Sequence, residues 1–473
     1  MQKSLFLKVL IILGLTVLIF ILMAVISNTI EERSEYRQQA VHSIANDSVR
    51  EQTITGPILI IPYTDEYEET LEVEGKKEVV TRNVQREHLV FPSDYTVEGS
   101  VDTDRRYRGI HQVLVYSGHH HLHGNFVLPV EADLARAGKT SRLTIQRARV
   151  ALGIEDVRGI RDITKLDWDG SEFEFQQGTA MKSIVSGLHA SVPGLTLQQP
   201  ATARFSLKLG LDGIERQHFV PVGKSNVVTL KSTWPHPQFG GRFLPSPRDR
   251  TIGDDGFKAT WKISSLSTNA QQQLRNLEAL GAPQEFAGPV STTAATPDDV
   301  TARARGPQVD RFSVGFVEPV NVYSLADRAT KYGLLFVILT FGAFFIFEML
   351  KRLPIHPIQY LLVGLALVVF FLLLVSLSEH IAFGVAYLSA SLACIALISF
   401  YLSHVLRDWR RGVGFGLGLT LLYSALYGLL ISESNALVMG SILLFAILAA
   451  VMVATRKIDW YQVGAVEVRP QAA

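Results

Sequence analysis

The chain has 473 residues, 48% apolar and 19% charged, with 45 Lys and Arg against 44 Asp and Glu for a net charge of +1. That balance excludes a polybasic nucleic-acid binder and an acidic solvating tail, and a single cysteine, Cys394, excludes an intrachain disulfide framework, a Cys-based zinc site and a Cys-ligated iron–sulfur cluster. The charge deficit, against about 25% in a soluble domain, lies in one N-terminal block and the last third of the chain, so the composition is that of a membrane protein with one large soluble domain.

Residues 9–26 (VLIILGLTVLIFILMAVI) carry no charge. The run approaches the ~20 apolar residues that cross a hydrocarbon core, and its end lacks a small-x-small cleavage pattern. An uncleaved signal anchor is therefore expected over residues 9–27. Lys3 and Lys8 precede it, and Glu31 and Glu32 accompany Arg33 after it, which places residues 1–8 in the cytoplasm and exports the chain beyond the anchor.

Residues 28–328 contain no segment able to span a bilayer. Arg142 to Val150, Ala203 to Leu209 and Phe257 to Ile263 alternate apolar and polar residues as strands with one wet face do. Thr53 to Pro62 reads as a strand interrupted at Gly56-Pro57, and turns are expected at Asp169-Gly170, Asp212-Gly213 and Asp255-Gly256. Helical periodicity is confined to Asn269–Leu280 and to Ile30–Ile44, beyond the first span. The expectation is a mainly antiparallel, sandwich-like β domain in the periplasm, with residues 292–306 as a surface loop.

Residues 329–455 hold five apolar runs, about 332–349, 358–375, 381–401, 413–431 and 436–454, each long enough for one crossing. Lys351 and Arg352, then Arg407, Arg410 and Arg411, then Arg456 and Lys457 fill alternate connectors, and the intervening ones carry no Lys or Arg. Every basic connector falls on the side that the N-terminus assigns to the cytoplasm, and residues 456–473 form a cytoplasmic tail.

No G-x-S-x-G, H-E-x-x-H or Walker A pattern occurs. Gly414 and Gly418 match G-x-x-x-G, for which packing inside the chain is favoured over dimerisation. His119, His121 and His123 would share one strand face, but same-face residues stand about 7 Å apart. A solvated strand is therefore favoured over a metal site. Glu348 and His404, near the cytoplasmic ends of their spans beside Lys351 and Arg407, read as snorkelling interfacial side chains. Asp327 and Lys331, with Arg328 between them, have the i,i+4 spacing of a helix-start ion pair. Trp234-Pro235-His236-Pro237 cannot be helical. It reads as a rigid loop in which Trp234 closes the end of the β core or, with His236, forms a recognition surface.

The chain resembles the CreD family of bacterial inner-membrane, cell envelope integrity proteins. The resemblance rests on Thr55-Gly56-Pro57 and Ile60-Ile61-Pro62, on Ser232 to Phe239, on Leu325 to Tyr332, on His356 to Gly364, on Ser376 to His380 and on Arg456 to Tyr461. It implies an exported domain between the first two spans, a role in envelope integrity and a link to envelope-stress or β-lactam response. It carries no catalytic residue over and gives the histidine cluster no role.

The expected function is thus a non-enzymatic envelope protein whose periplasmic domain binds an unknown periplasmic or inner-membrane partner. Its surroundings are the lipid bilayer, with no nucleic acid and no cofactor, and its oligomeric state stays open. The alternatives are a lipid or small-molecule transporter and a periplasmic enzyme with an unrecognised site. The functional candidates are Trp234, His236, Asp327, Arg328, Lys331 and Glu348.

Overall fold

The computed structural model describes residues 2–73, 76–109, 111–138, 141–283, 309–316, 322–351, 355–405, 409–432 and 436–456. In chain order these form helix α1 (Gln2–Asp47) and strands β1 (Gln52–Val73), β2 (Lys76–Val90), β3 (Asp94–Arg108), β4 (His111–Leu128), β5 (Arg142–Ile145) and β6 (Arg149–Ile154). Next are strands β7 (Ile160–Ile163), β8 (Leu166–Trp168), β9 (Ser171–Phe173), β10 (Phe175–Gln177), β11 (Gly187–Ser191) and β12 (Ala201–Ile214). Then come β13 (Arg216–Val220), β14 (Ser225–Ser232), β15 (Pro237–Gly241), β16 (Arg250–Gly253), β17 (Gly256–Ser264), helix α2 (Ala270–Leu280) and β18 (Phe312–Phe316). The chain closes with α3 (Val322–Lys351), α4 (Pro357–Ser378), α5 (Phe383–Val405), α6 (Trp409–Ile431) and α7 (Ala436–Thr455). Two compact units result: Met1–Gln39 with Val320–Ala473, and Ala40–Pro319.

In the helical unit, five described segments are long and apolar enough to cross a membrane: Phe6–Val41, Val322–Ile346, Pro357–Ser378, Phe383–Val405 and Trp409–Ile431. Helix α7 coincides with the last expected span. The expected anchor and the helix at Ile30–Ile44 are one continuous helix of 46 residues, because no Gly or Pro after Gly14 interrupts the intrahelical bonds. Ile19, Met23, Ile26 and Ile30 of α1 share a hydrophobic core with Phe336 and Phe341 of α3 and Phe371 of α4. Gly364 of α4 permits this approach, since a Cβ there would stand 2.9 Å from Ile19 and 2.8 Å from Phe341. The glycines of α6 that pack on α5 are Gly412, where a Cβ would stand 2.8 Å from the Ser403 backbone, and Gly416, which packs on Ser399. Gly414 and Gly418 face open space, so the expectation that they pack within the chain is corrected. Helical phase puts them about 200° around α6 from the glycines that do.

The β unit is a sandwich of two nine-stranded sheets. One runs β10-β11-β6-β1-β13-β18-β15 with β2 and β5 also on β1; the other runs β16-β17-β14-β3-β4-β12-β8-β9 with β7 on β12. Described pairings are antiparallel except β1 with β13 and β3 with β14. Strand β17 shows why these segments form sheets: Phe257, Ala259, Trp261 and Ile263 are buried while Lys258 and Lys262 face out. The inner faces interdigitate, with Trp261 stacked on Phe312 of the opposite sheet at 5.0 Å between ring centroids.

Helix α2 arises where expected, burying Ala270, Leu274 and Leu277 and ending at left-handed Gly281. Asp169-Gly170 forms the two-residue turn of the β8–β9 hairpin, both residues at positive φ. Two expectations fail locally. Asp212-Gly213 lies inside β12, where the long ladder to β4 overrides its turn propensity. Arg142 to Val150 is two strands, β5 and β6, which pair with different stretches of β1. The interruption expected at Gly56-Pro57 is present as a register shift of β1 against β6. The loop expected at 292–306 lies outside the described residues.

Candidate functional site

The charged residues of the helical unit gather at its two ends. At one end Glu348, near the end of α3, is buried. Its carboxylate pairs with the Lys8 ammonium of α1 and accepts the Tyr360 hydroxyl proton of α4 at 2.8 Å. Lys8 also donates to the Ile355 carbonyl at 2.9 Å. Glu348 is therefore not the snorkelling side chain that the sequence suggested: its partner lies 340 residues earlier in the chain. At the other end Glu379, which caps α4, accepts from the Tyr323 hydroxyl of α3 at 3.1 Å and lies 3.9 Å from the Arg33 guanidinium of α1. The two clasps fix the relative directions of three helices. The start of α1, the end of α3 and the start of α4 share one end of the unit, and Arg33, the start of α3 and the end of α4 share the other.

The clasps differ in strength. Lys8 is 25% exposed beside the buried Glu348, whereas the Arg33 side chain is 46% exposed and its pair with Glu379 is correspondingly weaker. Asp327 and Lys331 form the expected ion pair at 2.7 Å, but Lys331 is exposed and the pair chiefly decorates the first turns of α3. Arg328 lies beside it, half-buried. Glu348 stands 17 or more residues further along the same helix, so about 25 Å or more of helix separates it from these three. The four candidates on α3 are therefore not one site. His404 is exposed against the Phe400 ring, as an interfacial side chain would be.

In the β unit Trp234 is buried and belongs to the sandwich core. It lies in the connection between β14 and β15, and its indole N–H donates to the His236 carbonyl at 3.0 Å. The His236 ring is exposed and meets the indole edge-on. This is the arrangement in which Trp234 closes the core.

The histidine run lies on β4, between β3 and β12. His120 faces the core, where its Nε2 lies 2.7 Å from the Gln217 amide of the opposite sheet. Burial holds its pKa down to about 3, so it is neutral. His119, His121 and His123 face outward, and the His121 and His123 rings are 4.7 Å apart. Among the described residues no group of three or more His, Cys, Asp and Glu is placed to hold a metal ion.

One polar cluster has no sequence signal. His218 of β13 lies 3.2 Å from Glu51, and Glu155 accepts from the Thr53 hydroxyl at 2.6 Å, with Arg311 also beside Thr53. Burial lowers the His218 pKa and raises that of Glu155, partly opposed by these hydrogen bonds. The four ionisable residues come from chain positions 51 to 311 and meet only through the sheet order. Lys8 and Glu379 did carry a signal: each ends an apolar run. What the sequence could not supply was their partners.

A family model described as "Inner membrane protein CreD" matches residues 4–461. The Inner membrane protein CreD of Escherichia coli (strain K12) is 32% identical over 466 residues, covering 98% of this chain and 95% of that one. Native leukotriene A4 hydrolase from Saccharomyces cerevisiae is 12% identical over 36% of this chain and 28% of its own, at a TM-score of 0.18, too low to support any argument about fold or activity. The matched residues run from the apolar N-terminal helix through the two-sheet β unit to the C-terminal helices, and the chain belongs to the CreD family of inner membrane proteins.

Proposed function

We propose that this protein supports cell envelope integrity without catalysis, its β unit lying in the periplasm as a partner-binding domain and its helices holding that domain at the inner membrane. The observation that carries the membrane arrangement in this reading is the pair of clasps. Lys8 with Glu348 and Arg33 with Glu379 make α1 a member of the bundle whose direction opposes α3. Such a bundle supports alternating crossings, and the basic connectors then assign both termini to the cytoplasm. The first experiment is a set of reporter fusions. Periplasmic activity is expected after Ser432 or within residues 292–306 and none after Arg411 or at Ala473; activity at Ala473 refutes the arrangement. The second is genetic. A deletion strain should show altered sensitivity to β-lactams or detergent, and the β unit tethered by α1 should restore it.

A second reading, transport of a lipid or small molecule, draws on the buried Glu348 and Tyr360 with the part-exposed Lys8, since ionisable residues inside membrane bundles often line pathways. Rescue that requires α4 to α7 would favour it. Crosslinking in intact envelopes, followed by recovery of the full chain, would identify the partner that the first reading requires.

A further inference from the structure

We propose that His121 and His123 form a two-imidazole site for a divalent first-row transition ion on the outer face of the second sheet. Strand alternation places both side chains opposite Leu122 and Phe126, which point into the core. Strand geometry alone leaves such neighbours about 7 Å apart, but here the ring centroids are 4.7 Å apart with planes inclined by 32°. Two imidazoles bound to one ion at about 2.0–2.1 Å, with an angle between right and tetrahedral, put their centroids roughly 4.5–5.2 Å apart. The observed pair is within that range.

The neighbours also prepare the rings. His121 Nε2 lies 2.9 Å from the Ser206 hydroxyl. When that nitrogen donates its proton to Ser206 Oγ, Nδ1 keeps its lone pair, which is the tautomer that a metal requires. His123 Nδ1 is closed off from solvent, so Nε2 is the nitrogen of that ring left to meet an ion. Directly across β3, Glu98 stands opposite His121 and Thr96 opposite His123. Across β12, Lys208 stands opposite His121 and Ser206 opposite His123. Glu98 contributes negative charge that favours a cation there, while the Lys208 ammonium opposes binding. Two protein ligands leave positions for water, so the site is exchangeable rather than structural. Imidazole pairs suit Zn, Cu and Ni.

The test uses the full chain in detergent, without a polyhistidine tag, stripped with a chelator and dialysed against Zn2+. One Zn2+ per chain is expected, weakened at least tenfold in His121→Asn and in His123→Asn and within twofold of wild type in His119→Asn. No zinc uptake by the wild-type chain overturns the proposal, as does unchanged affinity in either of the first two variants. A measurement independent of folding in the variants is paramagnetic resonance of Cu2+ on the wild-type chain. Hyperfine coupling to two imidazole nitrogens is expected, and coupling to fewer than two overturns the assignment.

Discussion

Replacing Trp234 with Ala separates a structural loop from a recognition loop. The indole is 7% exposed and packed in the core of the sandwich. Truncating a buried Trp costs about 3–5 kcal/mol through lost contacts and the cavity left behind. The lost hydrogen bond adds little, because the His236 carbonyl sits in an exposed residue where water can replace the indole N–H. The β unit, Ala40–Pro319, has about 280 residues. At roughly 2.1 cal/mol/K per residue, its unfolding entropy near 60 °C is about 0.6 kcal/mol/K. The expected drop in Tm is therefore about 5–8 °C, read from the β-sheet circular dichroism band of the full chain in detergent. His236→Ala removes an exposed ring and should stay within about 1 °C of wild type. A Trp234→Ala melt coincident with wild type, or a His236→Ala shift of equal size, would refute the reasoning.

Glu348→Ala leaves the part-exposed Lys8 ammonium without its carboxylate and should cost about 1.5–3 kcal/mol, whereas Lys8→Met with Glu348→Met should recover most of it; thermal stability in detergent reads both, and an additive double variant would contradict a paired role. Gly416→Leu should destabilise the α5–α6 contact at Ser399, while Gly414→Leu, facing open space, should leave the same melt unchanged. Burial raises the Asp310 pKa, but hydrogen bonds from the Asn269 N–H, Gln273 and Thr268, with the Arg242 guanidinium beside it, outweigh this and hold it below the usual carboxylate range. Its stabilisation is therefore present above the unfolded value of about 3.9 and lost as pH falls through the folded value. Asp310→Asn should lower the denaturation midpoint at neutral pH, and the gap to wild type should close on acidification; a gap that widens reverses the sign.

Apolar run length located the helices well, because a bilayer demands a minimum of uninterrupted hydrocarbon contact whatever the neighbours are. Alternation located β12 and β17, whose one-sided burial is a local property of each strand. What stayed hidden was pairing across the chain. The parallel contact of β1 with β13 joins Gln52 to Gln217, and no local pattern encodes it. Asp212-Gly213 reads as a turn until the β4 ladder claims it. The candidate residues show the same divide. Asp327 with Lys331 was legible because one helix turn joins them, while Glu348 with Lys8 was not. Trp234 was legible as a non-helical aromatic, but its burial depended on strands from elsewhere in the sequence.

The long-range clasps bear on the order of synthesis. Lys8 emerges 340 residues before Glu348, and at about 5–20 residues per second that is a wait of roughly 20–70 s. Throughout it, α1 exists without α3 or α4, and the whole β unit is made in between. The helix suits this interval. Ile19, Met23 and Ile26, which later pack against protein, are as compatible with lipid tails as with Phe341. Its two clasp cations lie near the ends of its apolar stretch, where a long side chain can reach the headgroups until a carboxylate arrives. The charges that lock the finished bundle are thus placed where waiting costs least.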